Sequence, residues 1–262
     1  ALDRMEILRD GAAAQYGSDA IAGIVNLALN KSVGVGTLKT QFGQTTQGDG
    51  AGFLVAGNYG FKLGKPNSYL NLTAQYQFTG QTNRTDPFVG NIYNATKVRE
   101  DSIRKARGVY PVGTPFKVGV YGSNQTKAIQ GFYNAGFPIN QQWALYSFGG
   151  YSRKDILAYG FFRNAIPTNV NSTPELFPDG YVPELPGTSV DYSSVVGISR
   201  KVVAGWNLDF STGYGYNYLD LFANNTTNPS MGAASPRNFY VGRNAFGQST
   251  TEANLSKNYT GL

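Results

Sequence analysis

The chain has 262 residues, enough to bury a core, but only 15% are charged, while 33 glycines, 18 tyrosines and 16 phenylalanines favour aromatic-flanked strands over a helix-rich enzyme. It contains no cysteine and no histidine, which excludes disulfides, thiolate metal sites and cysteine nucleophiles, and removes the commonest general base and metal ligand. The net charge of +6 does not amount to a nucleic-acid patch, because the densest charged stretch, Lys97 to Arg107, mixes Glu100 and Asp101 among its bases and reads as a solvated helical face. No apolar run approaches the length of a membrane-crossing helix, and no signal peptide is visible.

In chain order, the first predicted strand runs from Arg4 to Arg9, with Met5, Ile7 and the aliphatic part of Arg9 alternating with Arg4, Glu6 and Leu8. Asp10 is placed to cap a short helical turn over Gly11 to Tyr16, and Gly17 supplies a left-handed stop. A second strand, Ile21 to Leu29, is nearly continuously apolar and is expected to be buried on both faces. Beyond about residue 35 the dominant period is two. Tyr69 to Thr79 is the clearest case, with Leu70, Leu72, Ala74, Tyr76 and Phe78 on one face and Asn71, Thr73, Gln75, Gln77 and Thr79 on the other. Trp206 to Tyr218 repeats the pattern, and Phe53 to Phe61 and Ala128 to Phe137 show it more weakly.

Alternation alone fits a soluble sandwich nearly as well as a membrane barrel, so the connections discriminate. Strands are predicted at 36–46, 50–62, 68–80, 127–138, 142–162, 190–203, 206–220 and 250–262. They are joined by tight turns at Gly64 to Asn67, Asn140 to Gln142 and Ala204 to Gly205, and by long loops over about 81–126, 164–189 and 221–249. Short and longer connections then alternate, as they do in outer-membrane barrels. Trp143 and Trp206 sit beside short turns, where an interfacial position is favoured; ordinary core packing is the alternative.

In order and spacing, Arg4, Glu6, Leu8, Arg9, Tyr16, Gly17, Ala20, Ile21, Gly23, Val25 and Asn26 resemble the end of the plug domain of TonB-dependent outer-membrane receptors. The sequence departs at Asp10 and Gly11, where the commoner pattern has Gly then Pro. The resemblance implies a mainly β fold, a partial transmembrane antiparallel barrel of about eight strands preceded by the end of an α+β plug. Residues 1–34 would be the C-terminal part of the plug and 35–262 the N-terminal part of the barrel. Eight strands alone would close on an interior too narrow for a plug, so more are expected after Leu262, and Ala1 is expected to interrupt the plug.

The same resemblance implies active uptake of a scarce ligand, such as a ferric siderophore, a cobalamin or an oligosaccharide, across the bacterial outer membrane. Its partners would be outer-membrane lipid and, through an upstream segment, the TonB energy-transducing complex. Glu6 and Arg9 would be charged contacts between plug and barrel wall, against a solvated strand face as the alternative. Phe88, Tyr93, Tyr110, Phe177, Tyr181, Phe239 and Tyr240 are candidate ligand contacts in the external loops, although loop aromatics more often pack the loops themselves.

No P-loop, nucleophile elbow or zinc motif is present, and the carboxylate pairs Glu100 with Asp101 and Glu175 with Asp179 lie in presumed loops. No catalytic residue, metal site or cofactor is therefore expected. Asn-x-Ser/Thr triplets beginning at Asn71, Asn83 and Asn171 follow from an Asn- and Thr-rich composition. Two other readings stay open: a small self-contained barrel acting as an adhesin or passive pore, and a soluble β-rich carbohydrate-binding protein.

Overall fold

The computed structural model describes residues 1–8, 23–93, 96–201 and 205–257. The readings for Arg9, Asp10, the turn Gly11 to Tyr16, Gly17 and Ala204 lie outside these residues. Strands β1 (Leu2–Leu8) and β2 (Ile24–Leu29) form a two-stranded antiparallel sheet. Eight further strands follow: β3 (Gly36–Gly43), β4 (Gly52–Lys62), β5 (Tyr69–Thr79), β6 (Gln125–Pro138), β7 (Trp143–Tyr159), β8 (Glu184–Lys201), β9 (Trp206–Ala223) and β10 (Phe239–Lys257). Each pairs antiparallel with its sequence neighbours, so the order is that of a meander, and β3 and β10 are its edges. The sheet does not close. Helix α1 (Lys97–Arg107) lies in the β5–β6 connection, and a 3-10 turn, Pro229–Ala234, in the β9–β10 connection.

Three expectations need correction. β2 is not buried on both faces, since Val25 and Leu27 are 58% and 51% exposed. β8 begins at Glu184, six residues earlier than expected. Pro186 is tolerated there because it precedes the first residue that pairs with β9, Gly187, so its missing N–H breaks no ladder on that side. β10 begins at Phe239 and shortens the expected 221–249 loop to 224–238; a bulge between Tyr240 and Gly242 breaks the alternation there, while the register to β9 runs on to Lys257.

The register fixes two faces. Val55, Tyr76, Ile129 and Arg153 are successive cross-strand partners, as are Leu145, Ile198 and Phe210, and these rows share one face. It is lined by Leu72, Tyr59, Tyr151, Val196 and Tyr214, each between 42% and 49% exposed. Polar groups on it are paired: the Tyr133 hydroxyl shares hydrogen bonds with Ser147 and Ser194 at 2.9 and 2.6 Å. The opposite face carries Asn58, Asn71, Gln75, Gln130, Asn134 and Ser152, many bonded to one another, as in Gln75 Nε2 to Gln130 Oε1 at 2.9 Å. The chain's start lies against this polar, inner face. Residues as far apart as Gln75 on β5 and Phe246 on β10 line one space of about 910 Å³ with Ala1 and Leu2, so the sheet curves around it.

A soluble β-protein buries its apolar face against a second layer. Here the polarity is reversed. The apolar cluster of buried residues, Ile92, Tyr93, Val118 and Ala165, sits in the long connections and not against the sheet's apolar face.

Candidate functional site

Two features stand out: a clasp on residues 30–35 at the inner face and a cover built from the long loops. The clasp starts from Asn134, whose Nδ2 donates to the Asn30 carbonyl at 2.9 Å. The Asn30 side chain donates to Asn58 Oδ1 at 3.3 Å, Asn58 donates in turn to Asn71 Oδ1, and Asn71 Nδ2 donates to the Ser32 carbonyl at 3.2 Å. Asn71 and Asn134 are only 2% and 4% exposed. The backbone completes the attachment: Gly34 N donates to Gly60 O at 2.8 Å and Gly60 N to Val35 O at 3.2 Å. Gly60 is required by this approach, because a Cβ there would overlap the Ser32 carbonyl.

The cover joins the 80–124 and 160–183 connections. Phe88 packs on Phe116 and Phe162 at 5.9 and 5.6 Å, and Tyr110 on Phe116 at 5.1 Å. Glu100, read from sequence as solvated, is 2% exposed: its two oxygens accept the Ile92 and Tyr93 amides at 2.7 and 2.9 Å. Asp179 is the second tie. It accepts from the Tyr93 hydroxyl at 2.7 Å and from the Arg107 guanidinium, and its backbone carbonyl accepts from the Tyr110 hydroxyl at 2.9 Å.

The Arg107 bonds hold the Asp179 carboxyl below the usual range, and burial, then the bond to Asp179, pushes the Tyr93 phenol upward. A third tie joins the 44–51 connection to the 80–124 connection. Arg84 binds both oxygens of Asp49, and this, with Thr45 and the Asn83 amide, holds the Asp49 carboxyl well below its ordinary value.

Of the candidate ligand contacts, Phe88, Tyr93 and Tyr110 are engaged in this cover, and Phe177 stacks on Tyr181 at 4.2 Å. Tyr181 also lines a cavity of about 520 Å³ with Tyr121, Phe161 and Arg163. These three were missed; the Gly-Phe-Phe-Arg run after β7 was the available signal. Phe239 and Tyr240 are not loop residues. They open β10, where Tyr240 donates to Asp220 at 2.9 Å. The polar contacts of Glu6 are with Arg4 and Asn26, within its own two-stranded sheet and not with the large sheet, and Arg9 lies outside the described residues.

Together these features define a mainly β protein whose curved, unclosed antiparallel sheet is consistent with part of a barrel. No family profile matches the chain, and no curated protein matches it. Among solved structures, a mutant ferric enterobactin receptor from Pseudomonas aeruginosa is similar at a TM-score of 0.43 and 14% identity, over 97% of this chain and 42% of that one. The chain thus spans less than half of that receptor, and a likeness this loose does not discriminate among β architectures.

Proposed function

We propose that the chain is the end of a plug and the first eight strands of a TonB-dependent outer-membrane transporter. It would take up a scarce ligand, a ferric siderophore, a cobalamin or an oligosaccharide, and perform no chemistry on it. The observation that carries this reading is the reversed polarity of the sheet, apolar outward and polar inward, with the start of the chain lying on the polar face. On the outer face Trp206 and Tyr218 bracket Phe210 and Tyr214. At about 3.3 Å per residue and a tilt near 40°, they stand roughly 30 Å apart in height, the span of an apolar band with its aromatic girdles. The alternation of short turns and long connections agrees with it, and so does the cover of loops at one end.

In this mechanism the loops and the plug apex bind the ligand from outside. An inner-membrane complex then pulls the plug through an upstream segment, and the clasp at residues 30–35 is where the moving part meets the fixed wall. A passive pore would need neither the pull nor the clasp.

The test is uptake of labelled ferric chelates, cobalamin and oligosaccharides by cells with and without the gene, before and after collapse of the proton gradient. Accumulation of one ligand that requires both gene and gradient is expected. Gene-dependent entry that survives gradient collapse would favour the passive pore, and no gene dependence for any ligand would remove the transport reading.

A further inference from the structure

The cavity of about 520 Å³ beside Tyr181 is framed by three connections. Tyr121 comes from the β5–β6 connection, Phe161 and Arg163 from the run after β7, and Thr226 from the β9–β10 connection. Leu185 and Ala223, which also line it, have the parity of Asp191 and Asn217, and these continue the inner Ser152 row across β8 and β9. The cavity therefore reaches the loop end of the inner face. Its volume falls within the range of small-molecule sites.

The lining side chains differ in what they already touch. Tyr181 is engaged: its hydroxyl shares a hydrogen bond with Thr227 at 3.1 Å, and its ring stacks on Phe177 at 4.2 Å. Phe161 and Tyr121 lie 5.8 Å apart and stay 68% and 41% exposed, so ring surface remains available. Backbone bonds fix their setting. The Tyr121 amide donates to Thr85 Oγ1 at 3.2 Å, and Arg163 and Tyr181 exchange both main-chain bonds at 2.7 and 2.8 Å. On this fixed frame the side chains of Arg163, Asn171 and Thr226 make no hydrogen bond or ion pair among the described residues. Arg163 is the one charged residue of the lining.

An open ring surface, a guanidinium without a carboxylate and two unengaged hydrogen-bonding side chains around one cavity match a pyranose that carries a carboxylate. Its C–H groups pack on the aromatic rings, the planar guanidinium pairs with both carboxylate oxygens, and the Asn171 amide and Thr226 hydroxyl meet its hydroxyls. The other ligand classes fit less well: a ferric catecholate brings several negative charges to a single guanidinium, and a corrinoid is too bulky to enter. We infer that this cavity binds a uronic acid unit of an acidic oligosaccharide. The inference rests on the transport reading above and narrows its ligand.

Saturation-transfer NMR tests this on the full chain in polyoxyethylene micelles, whose head groups carry no sugar. The probes are trigalacturonate, its methyl ester and 2,3-dihydroxybenzoate. Trigalacturonate should bind about tenfold tighter than the ester, the gain expected from a charge-assisted pair over a neutral contact. Arg163→Gln should bring the acid to the level of the ester, and Phe161→Ala should weaken both alike. Should either variant fail to fold, the ratio of acid to ester on the unmodified protein decides alone. Equal binding of acid and ester, tighter binding of dihydroxybenzoate, or no binding of trigalacturonate overturns the inference. Transport itself is decided separately, by the gradient-dependent uptake of the other ligands.

Discussion

Replacing Asn71 by alanine removes the donor to the Ser32 carbonyl and the acceptor for Asn58 at a position that is 2% exposed. Asn58 keeps its bonds to the Leu72 carbonyl and Thr73 hydroxyl, so the loss falls on Ser32. Ser32 is itself exposed and its bond to Asn71 is part-buried, so water can replace the lost donor and the net loss is about 0.5–1.5 kcal/mol. The Gly34–Gly60 pair and the Asn134 bond to Asn30 remain, so the segment should open locally without unfolding the sheet. At about 1 kcal/mol the open population rises roughly fivefold. Limited trypsin digestion reads this at Lys31, because cleavage follows the open population when opening is fast. The fragment beginning at Ser32 should appear correspondingly faster, while cleavage after Arg153 within β7 stays unchanged. Gln75→Ala, on the same face but bonded to Gln130 and not to residues 30–35, serves as the control and should leave Lys31 protected. If Asn71→Ala left the Lys31 rate at the unmodified value in a folded protein, the clasp would not be what holds the segment.

Gly60→Ala should expose Lys31 at least as strongly, since its methyl displaces Ser32 outright; the same digestion checks it. Tyr93→Phe removes the bond to the Asp179 carboxylate and should weaken the loop cover by about 1 kcal/mol, seen as faster hydrogen exchange at the Ile92 and Tyr93 amides. Because Arg107 depresses the Asp179 carboxyl, its contribution is fully present above the ordinary Asp value of about 4 and is lost as pH falls below it; the protection of the same amides, relative to their intrinsic exchange rate at each pH, should be constant from neutrality to that point and fall beneath it. Val196→Arg, on the outer face between Ser147 and Thr212, should cost about 2–4 kcal/mol in lipid, read from the urea midpoint. In water the same change would fall within about 0.5 kcal/mol.

Local signals were legible in the sequence. The tight β4–β5 turn is written in Gly64 and Asn67, both at positive φ, and the two faces of β5 follow from alternation alone. Alternation does not say which face meets solvent; the reversed polarity appeared only when the strands were assembled and the chain's start was found on the polar side. The starts of β8 and β10 were missed because Pro186 and the Gly242 bulge disturb the local pattern, whereas their pairing is dictated by neighbouring strands. Glu100 looked like one charge among many, and what buries it are amides of Ile92 and Tyr93 that its own helix does not contain. Asn71 was read only as one of the polar-face residues of β5 and, like Asn83, as the start of a triplet expected from composition. Asn71 reaches Ser32, and Asn83 accepts from the Thr85 hydroxyl and the Tyr121 amide, contacts no sequence period can encode.

The central claim is that the apolar face of the sheet meets lipid and the polar face water. The chain has no cysteine, so single cysteines can be introduced one at a time along β5, at Leu72, Thr73, Ala74, Gln75, Tyr76 and Gln77, and spin-labelled in lipid. Collision with oxygen and with a water-soluble nickel chelate then reports each side chain's surroundings. The account predicts strict alternation, with oxygen favoured at Leu72, Ala74 and Tyr76 and the nickel chelate at Thr73, Gln75 and Gln77. Equal nickel access on both faces, or the opposite phase, would contradict it.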